Sequence, residues 1–84
     1  MLHDKLMAMP GRVKVDYRGC GEQQLADQRC FEARHGVRIV ETCDAGCDCN
    51  RLVLIEDPET GERLTVNGWS RPFELYIYPQ QVVS

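Results

Sequence analysis

The chain has 84 residues, of which 43% are hydrophobic and 27% charged, so we expect residues 1–84 to form one small globular domain. A formal net charge of −3 argues against a protein that works mainly by binding nucleic-acid phosphates, because such a protein needs a basic face. No apolar run approaches the roughly 20 residues of a membrane span. His3, Asp4 and Lys5 would interrupt a secretory signal, so we expect a cytoplasmic protein with reduced thiols.

The first residues predict a short helical turn followed by a strand. Apolar side chains spaced for one side of a helix favour a helical turn over 1–9, which Pro10 stops. Polar and apolar residues alternate over 12–17, as is typical of a half-buried strand. The inner face of that strand would carry Val13, Val15 and Tyr17.

A helix is predicted over 22–35, because apolar residues recur there at the helical period. Gly36 follows at the position where a glycine commonly ends a helix. Phe31 lies off the apolar stripe of this helix. The stripe, which we expect to face the core, consists of Leu25, Ala26, Cys30 and Ala33.

The middle of the chain predicts three strands, the first two separated by a polar loop. Residues 37–41 resemble a strand, and residues 42–50 form a loop that contains three cysteines. The continuous apolar run 52–55 is typical of a strand buried on both faces. A proline and a glycine predict a turn over 57–62, after which 63–66 returns as the partner strand of a hairpin.

The last part of the chain predicts one more turn and one more strand. Asn67-Gly68 is a turn signal, and residues 73–78 alternate as a strand that Pro79 closes, leaving the final residues loose. The inner face of this strand would carry Phe73, Leu75 and Ile77. Its opposite face would carry Glu74, Tyr76 and Tyr78.

Together these elements predict an α+β fold. We expect a small, mainly antiparallel sheet of four to five strands, one helix over 22–35 and a C-terminal β-meander. A small β-barrel is the alternative, because short strands of similar spacing can close on themselves.

Five cysteines are the most distinctive feature of the sequence, and their odd number prevents complete pairing within the chain. Three of them share one short loop, so little chain entropy is lost in bringing their sulfur atoms together. We expect a structural zinc ion held by a subset of the five, with His35 as a further candidate ligand. The candidate metal ligands are Cys20, Cys30, Cys43, Cys47 and Cys49.

Other uses of the thiols stay open. Cys20 and Cys30 can be small buried hydrophobes while the loop thiols are incidental. A disulfide can join Cys20 to Cys43, or Cys30 to a loop cysteine. An iron–sulfur cluster and a catalytic thiol beside a histidine are the remaining alternatives.

Aromatic residues near the C-terminus are the candidate interface. Trp69 and Arg71 lie in the predicted loop 67–72, and Tyr76 and Tyr78 share one face of the last strand. Tryptophan, tyrosine and arginine are the usual anchors of protein interfaces. In the alternative interpretations, the tryptophan covers one end of the sheet and the tyrosines stack on nucleic-acid bases.

No catalytic constellation appears in the sequence, which has neither a glycine-rich phosphate loop nor a nucleophile elbow. We therefore expect a non-enzymatic protein, such as a regulator or inhibitor, that binds another protein and contains zinc as its cofactor. An acidic face would let it compete with nucleic acid for a basic groove. That face would comprise Asp44, Asp48, Glu56, Asp57, Glu59 and Glu62.

Two other functions are consistent with the sequence. The first is a nucleic-acid-binding zinc module, although the net charge makes nucleic acid the less favoured partner. Its phosphate contacts would come from Arg12, Lys14, Tyr17 and Arg18. The second is a thiol redox or metal-handling protein. Its working thiols would be Cys43, Cys47 and Cys49.

Overall fold

The structure, a computed structural model, describes most of the chain. The described residues are 1–16, 22–44, 46, 49–71 and 74–83, without the side chains of 16, 22–27 and 44. They form seven elements: α1 (Leu2–Met7), β1 (Val13–Asp16), α2 (Glu22–His35), β2 (Arg38–Asp44), β3 (Asn50–Glu56), β4 (Arg63–Arg71) and β5 (Glu74–Val83). The predicted roles of Tyr17, Arg18, Cys20, Cys47, Asp48 and Phe73 lie outside the described residues. Neither helix is long and apolar enough to cross a membrane.

The five strands form one antiparallel sheet in the order β1-β5-β4-β3-β2. The predicted α+β fold is therefore confirmed, and β3, β4 and β5 form the predicted meander. The sheet curls into a half-barrel. Its two edges, β1 and β2, do not pair with each other within the described residues, so the alternative of a closed barrel is not realised.

The core lies inside the curl, on what we call the inner face of the sheet. The helix α2 packs against both edge strands and so bridges the gap between them, while α1 packs against β4 and β5. Removal of apolar side chains from water drives this arrangement. The core comprises Leu2, Leu6, Met9, Val15, Phe31, Val37, Ile39, Val53, Ile55, Val66, Leu75 and Ile77.

The short helix α1 confirms the helical turn predicted over 1–9. Leu2 and Leu6 are one helical turn apart, and both are almost completely buried. Lys5 on the same helix donates hydrogen bonds to the carbonyl oxygen of Gly36 at 2.9 Å and to Oδ1 of Asp57 at 3.0 Å. The helix is thus held both by its apolar side and by one lysine.

The bounds predicted for α2 are confirmed, but two of the four residues predicted to face the core are exposed, and the side chains of Leu25 and Ala26 lie outside the described part of the chain. Gly36 ends the helix at φ 67°, and its N–H donates to the carbonyl oxygen of Glu32 at 2.9 Å. Phe31 is buried, whereas Cys30 and Ala33 are exposed. A phenylalanine buries far more apolar area than a cysteine or an alanine, so its position decides which side of the helix packs.

The strands β2 and β3 differ from their predictions in length and burial. Pairing with β3 continues β2 to Asp44, so Cys43 lies in a strand rather than in the predicted loop. In β3 the inward Val53 and Ile55 are fully buried, but Leu52 and Leu54 are only half-buried. The prediction of burial on both faces was wrong because both helices lie on the inner face.

The turn predicted over 57–62 is confirmed. The N–H of Asp57 donates to the carbonyl oxygen of Glu62 at 2.8 Å, and the N–H of Gly61 donates to that of Asp57, also at 2.8 Å. Gly61 has φ 79°, a backbone conformation that glycine adopts without steric cost. The Asp57 side chain also accepts the N–H of Glu59 at 3.0 Å, which tightens the corner.

The turn predicted at Asn67-Gly68 was wrong, because both residues lie inside β4 between two paired strands. A Cβ atom at Gly68 would lie 2.9 Å from the carbonyl oxygen of Tyr76 and 2.9 Å from Cγ2 of Val53. Glycine is therefore required here by close packing rather than by a change in chain direction.

Pro79 does not close the last strand, which continues to Val83. The register passes from the pair Asn67–Tyr78 directly to the pair Val66–Val82, so residues 79–81 bulge out without partners in β4. A bulge accommodates proline because its missing N–H is not needed by the ladder.

Candidate binding surface on the outer face of the sheet

The side of the sheet opposite the core, which we call the outer face, carries a mixed aromatic, aliphatic and charged surface. Its residues follow from the strand registers, since side chains directly opposite each other on neighbouring strands share a face. They include Lys14, Glu41, Cys43, Leu52, Leu54, Thr65, Asn67, Trp69, Arg71, Glu74, Tyr76 and Tyr78. Both helices pack on the inner face, so the described residues leave this face open to a ligand.

Trp69 and Tyr76 are directly opposite each other on β4 and β5, with ring centroids 5.6 Å apart. The guanidinium carbon of Arg71 lies 5.2 Å from the Trp69 ring, and that of Arg12 lies 5.0 Å from the Tyr76 ring. The four side chains form a continuous line, which we call the cation–aromatic row. Each cation–π contact at an exposed site contributes about 0.5–1 kcal/mol, so the row is partly ordered before any ligand arrives.

Glu74 holds Tyr76 in place within the cation–aromatic row. Its carboxylate accepts a hydrogen bond from the Tyr76 hydroxyl at 2.9 Å and lies 3.2 Å from the ammonium group of Lys14. The Tyr76 hydrogen bond, followed by the Lys14 contact, holds the pKa of Glu74 below its ordinary value. Glu74 is therefore ionised at neutral pH, and its charge is largely offset within the protein.

A shallow groove continues the outer face towards the edge strand β2. It encloses about 220 Å³ and is lined by Glu41, Cys43, Leu52, Leu54 and Thr65. The two leucines give the groove an apolar centre, and its margin is polar. An apolar centre with a polar rim is the usual composition of a protein interface.

The four residues predicted as an interface lie together on the outer face, although their role there stays a prediction. Trp69 and Arg71 belong to β4 rather than to a loop, because the strand continues through Gly68. Sequence reasoning did not connect Arg12 with Tyr76. The alternation over 12–17 was a usable signal, since it directs the polar side chains of that strand away from the core.

Three of the five predicted metal ligands lie among the described residues, and Cys30, Cys43 and Cys49 are all free thiols. Cys30 lies on α2, on the inner side of the sheet, whereas Cys43 lines the outer groove. In the part of the chain that the structure describes, no three His, Cys, Asp or Glu side chains form a group that could hold a metal ion. Cys20 and Cys47 lie outside that part, so the zinc site stays a prediction.

Two residues of the predicted acidic face, Glu56 and Asp57, form ion pairs that stabilise the fold. Glu56 lies 2.8 Å from two arginines, one on β2 and one on β4. The side chain of Asp57 is only 1% exposed and is bonded to Lys5. Two members, Glu59 and Glu62, remain at the turn, while the side chains of the other two are not described.

The sequence matches no protein-family model, and neither the curated proteins nor the solved structures include a chain that is significantly similar to it.

Proposed function

We propose that this chain is a small, non-enzymatic binding protein that docks another protein on the outer face of its sheet. The observation that supports the proposal is the cation–aromatic row, which lies on the same uncovered face as an apolar groove. The partner is expected to present apolar or aromatic side chains to the groove and carboxylates to Arg12 and Arg71.

The composition of the row favours a protein interface. Tryptophan, tyrosine and arginine dominate the binding energy of interfaces, where they occupy central, well-packed positions. The rings of Trp69 and Tyr76 are fixed by each other, by the strands and by the stacked guanidinium groups. Side chains that are already ordered lose little rotamer entropy on binding, so more of their contact energy contributes to affinity.

Charge on the outer face favours a protein over a single-stranded nucleic acid. Carboxylates that include Glu41 and Glu74 share the face with the cations, and Glu74 already contacts both Lys14 and Arg71. Binding to phosphates needs a clear local excess of positive charge, which this balance does not provide. Nucleic acid is therefore the competing outcome of the experiment below.

The proposal is tested with partners captured from the cells that encode the protein and then purified for calorimetry. Replacing Trp69 with alanine is expected to weaken the affinity for the captured partner by about 30-fold, the effect of losing an interface anchor worth about 2 kcal/mol. Arg29→Ala is the matched control, because Arg29 is an exposed cation on α2, away from the outer face. Circular dichroism verifies that both variants keep the fold.

Two results would overturn the proposal. The first is a captured partner that binds the Trp69→Ala variant as tightly as the native protein. The second is salt-dependent binding of a fluorescent single-stranded oligonucleotide that Trp69→Ala abolishes, which would assign the outer face to nucleic acid instead.

A further inference from the structure

A second cavity lies away from the outer face, between the edge strand β1 and the last two turns of α2. It has a volume of about 140 Å³ and is open to solvent on one side. Residues 13–15 form its strand wall, and Cys30, Phe31, Arg34 and His35 form its helix wall. An open cleft of this size accommodates a small polyatomic ion.

We propose that this cleft binds an oxyanion group, such as a phosphate, a sulfate or a carboxylate. Its described lining contains Lys14, Arg34 and His35 but no carboxylate, although the Lys14 side chain lies on the outer face. The ammonium group of Lys14 is already 3.2 Å from Glu74, so the ligand would be held by the other two. Arg34 would supply paired N–H donors matched to two oxygen atoms, and His35 would supply one ring N–H.

The helix wall of the cleft is positioned by the core. The ring centroids of Phe31 and His35 are 4.9 Å apart, and the Phe31 side chain is buried in the core. His35 is thus held against a fixed surface at the cleft, and Arg34 is its neighbour in the chain. The Arg34 cation in the last turn of α2 also complements the helix dipole, whereas burial and then Arg34 lower the pKa of His35, so the test must measure binding and not only stability.

The first measurement is a sulfate titration followed by NMR of the His35 ring protons. Two or three charge-assisted hydrogen bonds on an open cleft predict a dissociation constant in the millimolar range. Arg34→Ala is expected to weaken sulfate binding about tenfold or more, whereas Arg29→Ala, an exposed arginine outside the cleft, is expected to change it less than about twofold. Acetate in place of sulfate distinguishes a carboxylate ligand from a tetrahedral one.

The second measurement uses two exposed thiols of the native protein and needs no variant. Bound sulfate is expected to slow the alkylation of Cys30, which lines the cleft, and to leave that of Cys43 on the outer face unchanged. Peptide mass spectrometry follows both sites in one sample, with equal ionic strength maintained by chloride. Equal alkylation of Cys30 with and without sulfate, or equal loss of sulfate affinity in the Arg34→Ala and Arg29→Ala variants, would overturn the proposal.

Discussion

Gly68 lies where three strands pack closely together. It lies in β4 between Arg51 on β3 and Ile77 on β5. Its missing side chain leaves room for the carbonyl oxygen of Tyr76 and for Cγ2 of Val53. The same residue therefore keeps Trp69 in the strand and opposite Tyr76, so the order of the outer face depends on it.

Replacing Gly68 with alanine is expected to lower the free energy of unfolding by about 1–3 kcal/mol, since the added Cβ atom overlaps backbone as well as side chain. Urea denaturation measures this change. Gly11→Ala is the control, because no atom lies within 4 Å of the Cβ position there. Equal stability of the two variants would contradict the close packing at Gly68.

At the scale of elements, α2 both fills the core and protects a sheet edge. Its Glu32 carboxylate accepts the backbone N–H of Ile39 at 2.9 Å, and its Gln28 amide donates to the carbonyl oxygen of Ile39 at 3.4 Å. The two side chains satisfy the groups that a further strand would have bonded at this point of β2. Covering an edge in this way discourages pairing with other chains.

The side of α2 that faces the core can be tested by two substitutions. Phe31→Ala is expected to lower the free energy of unfolding by about 3–5 kcal/mol, because it empties a buried aromatic site. Ala33→Ser, at an exposed position two residues further on, is expected to change it by less than about 0.5 kcal/mol. Thermal and urea unfolding measure both. If Ala33→Ser lowers the free energy of unfolding more than Phe31→Ala does, the stripe predicted from the sequence, and not Phe31, faces the core.

At the scale of the whole molecule, Lys5 connects three segments that are distant along the chain. It joins α1 to the carbonyl oxygen of Gly36 at the end of α2 and to the carboxylate of Asp57 at the β3–β4 turn. The N–H of Glu59, and then Lys5, lower the pKa of Asp57 even though burial acts to raise it. The contacts around Asp57 therefore favour its ionised form.

The lowered pKa of Asp57 makes the stability of the fold depend on pH. A carboxyl group whose pKa is lower in the folded state stabilises the protein above its unfolded pKa of about 3.9, and that contribution is lost as the pH falls through the folded value. Asp57→Asn is expected to be less stable than the native protein at pH 7 and to lose less stability between pH 4 and pH 2.

Urea midpoints across this pH range measure the effect of Asp57. Glu59→Gln is the control, because the Glu59 side chain is 82% exposed and lies 4.0 Å from Lys5. Curves for the native protein and Asp57→Asn that remain parallel below pH 4 would show that another group is responsible.

Local signals were sufficient for several parts of this fold. The bounds of the helix over 22–35, its end at Gly36 and the turn over 57–62 depend on the residues within each element, so they could be predicted. The alternation over 73–78 likewise placed Leu75 and Ile77 in the core and two tyrosines outside. For the candidate site, the sequence alone identified the candidate interface residues Trp69, Arg71, Tyr76 and Tyr78.

Tertiary structure decided the features that need a partner from elsewhere in the chain. Asn67-Gly68 is typical of a turn, but pairing with β3 and β5 places both residues inside β4. Pro79 lies within β5 because a bulge there leaves it without a partner in β4. Burial of Phe31 in the core determined which side of α2 packs against the sheet. Arg12 meets Tyr76 only because β1 pairs with β5, a contact between the two ends of the sequence that no local pattern encodes.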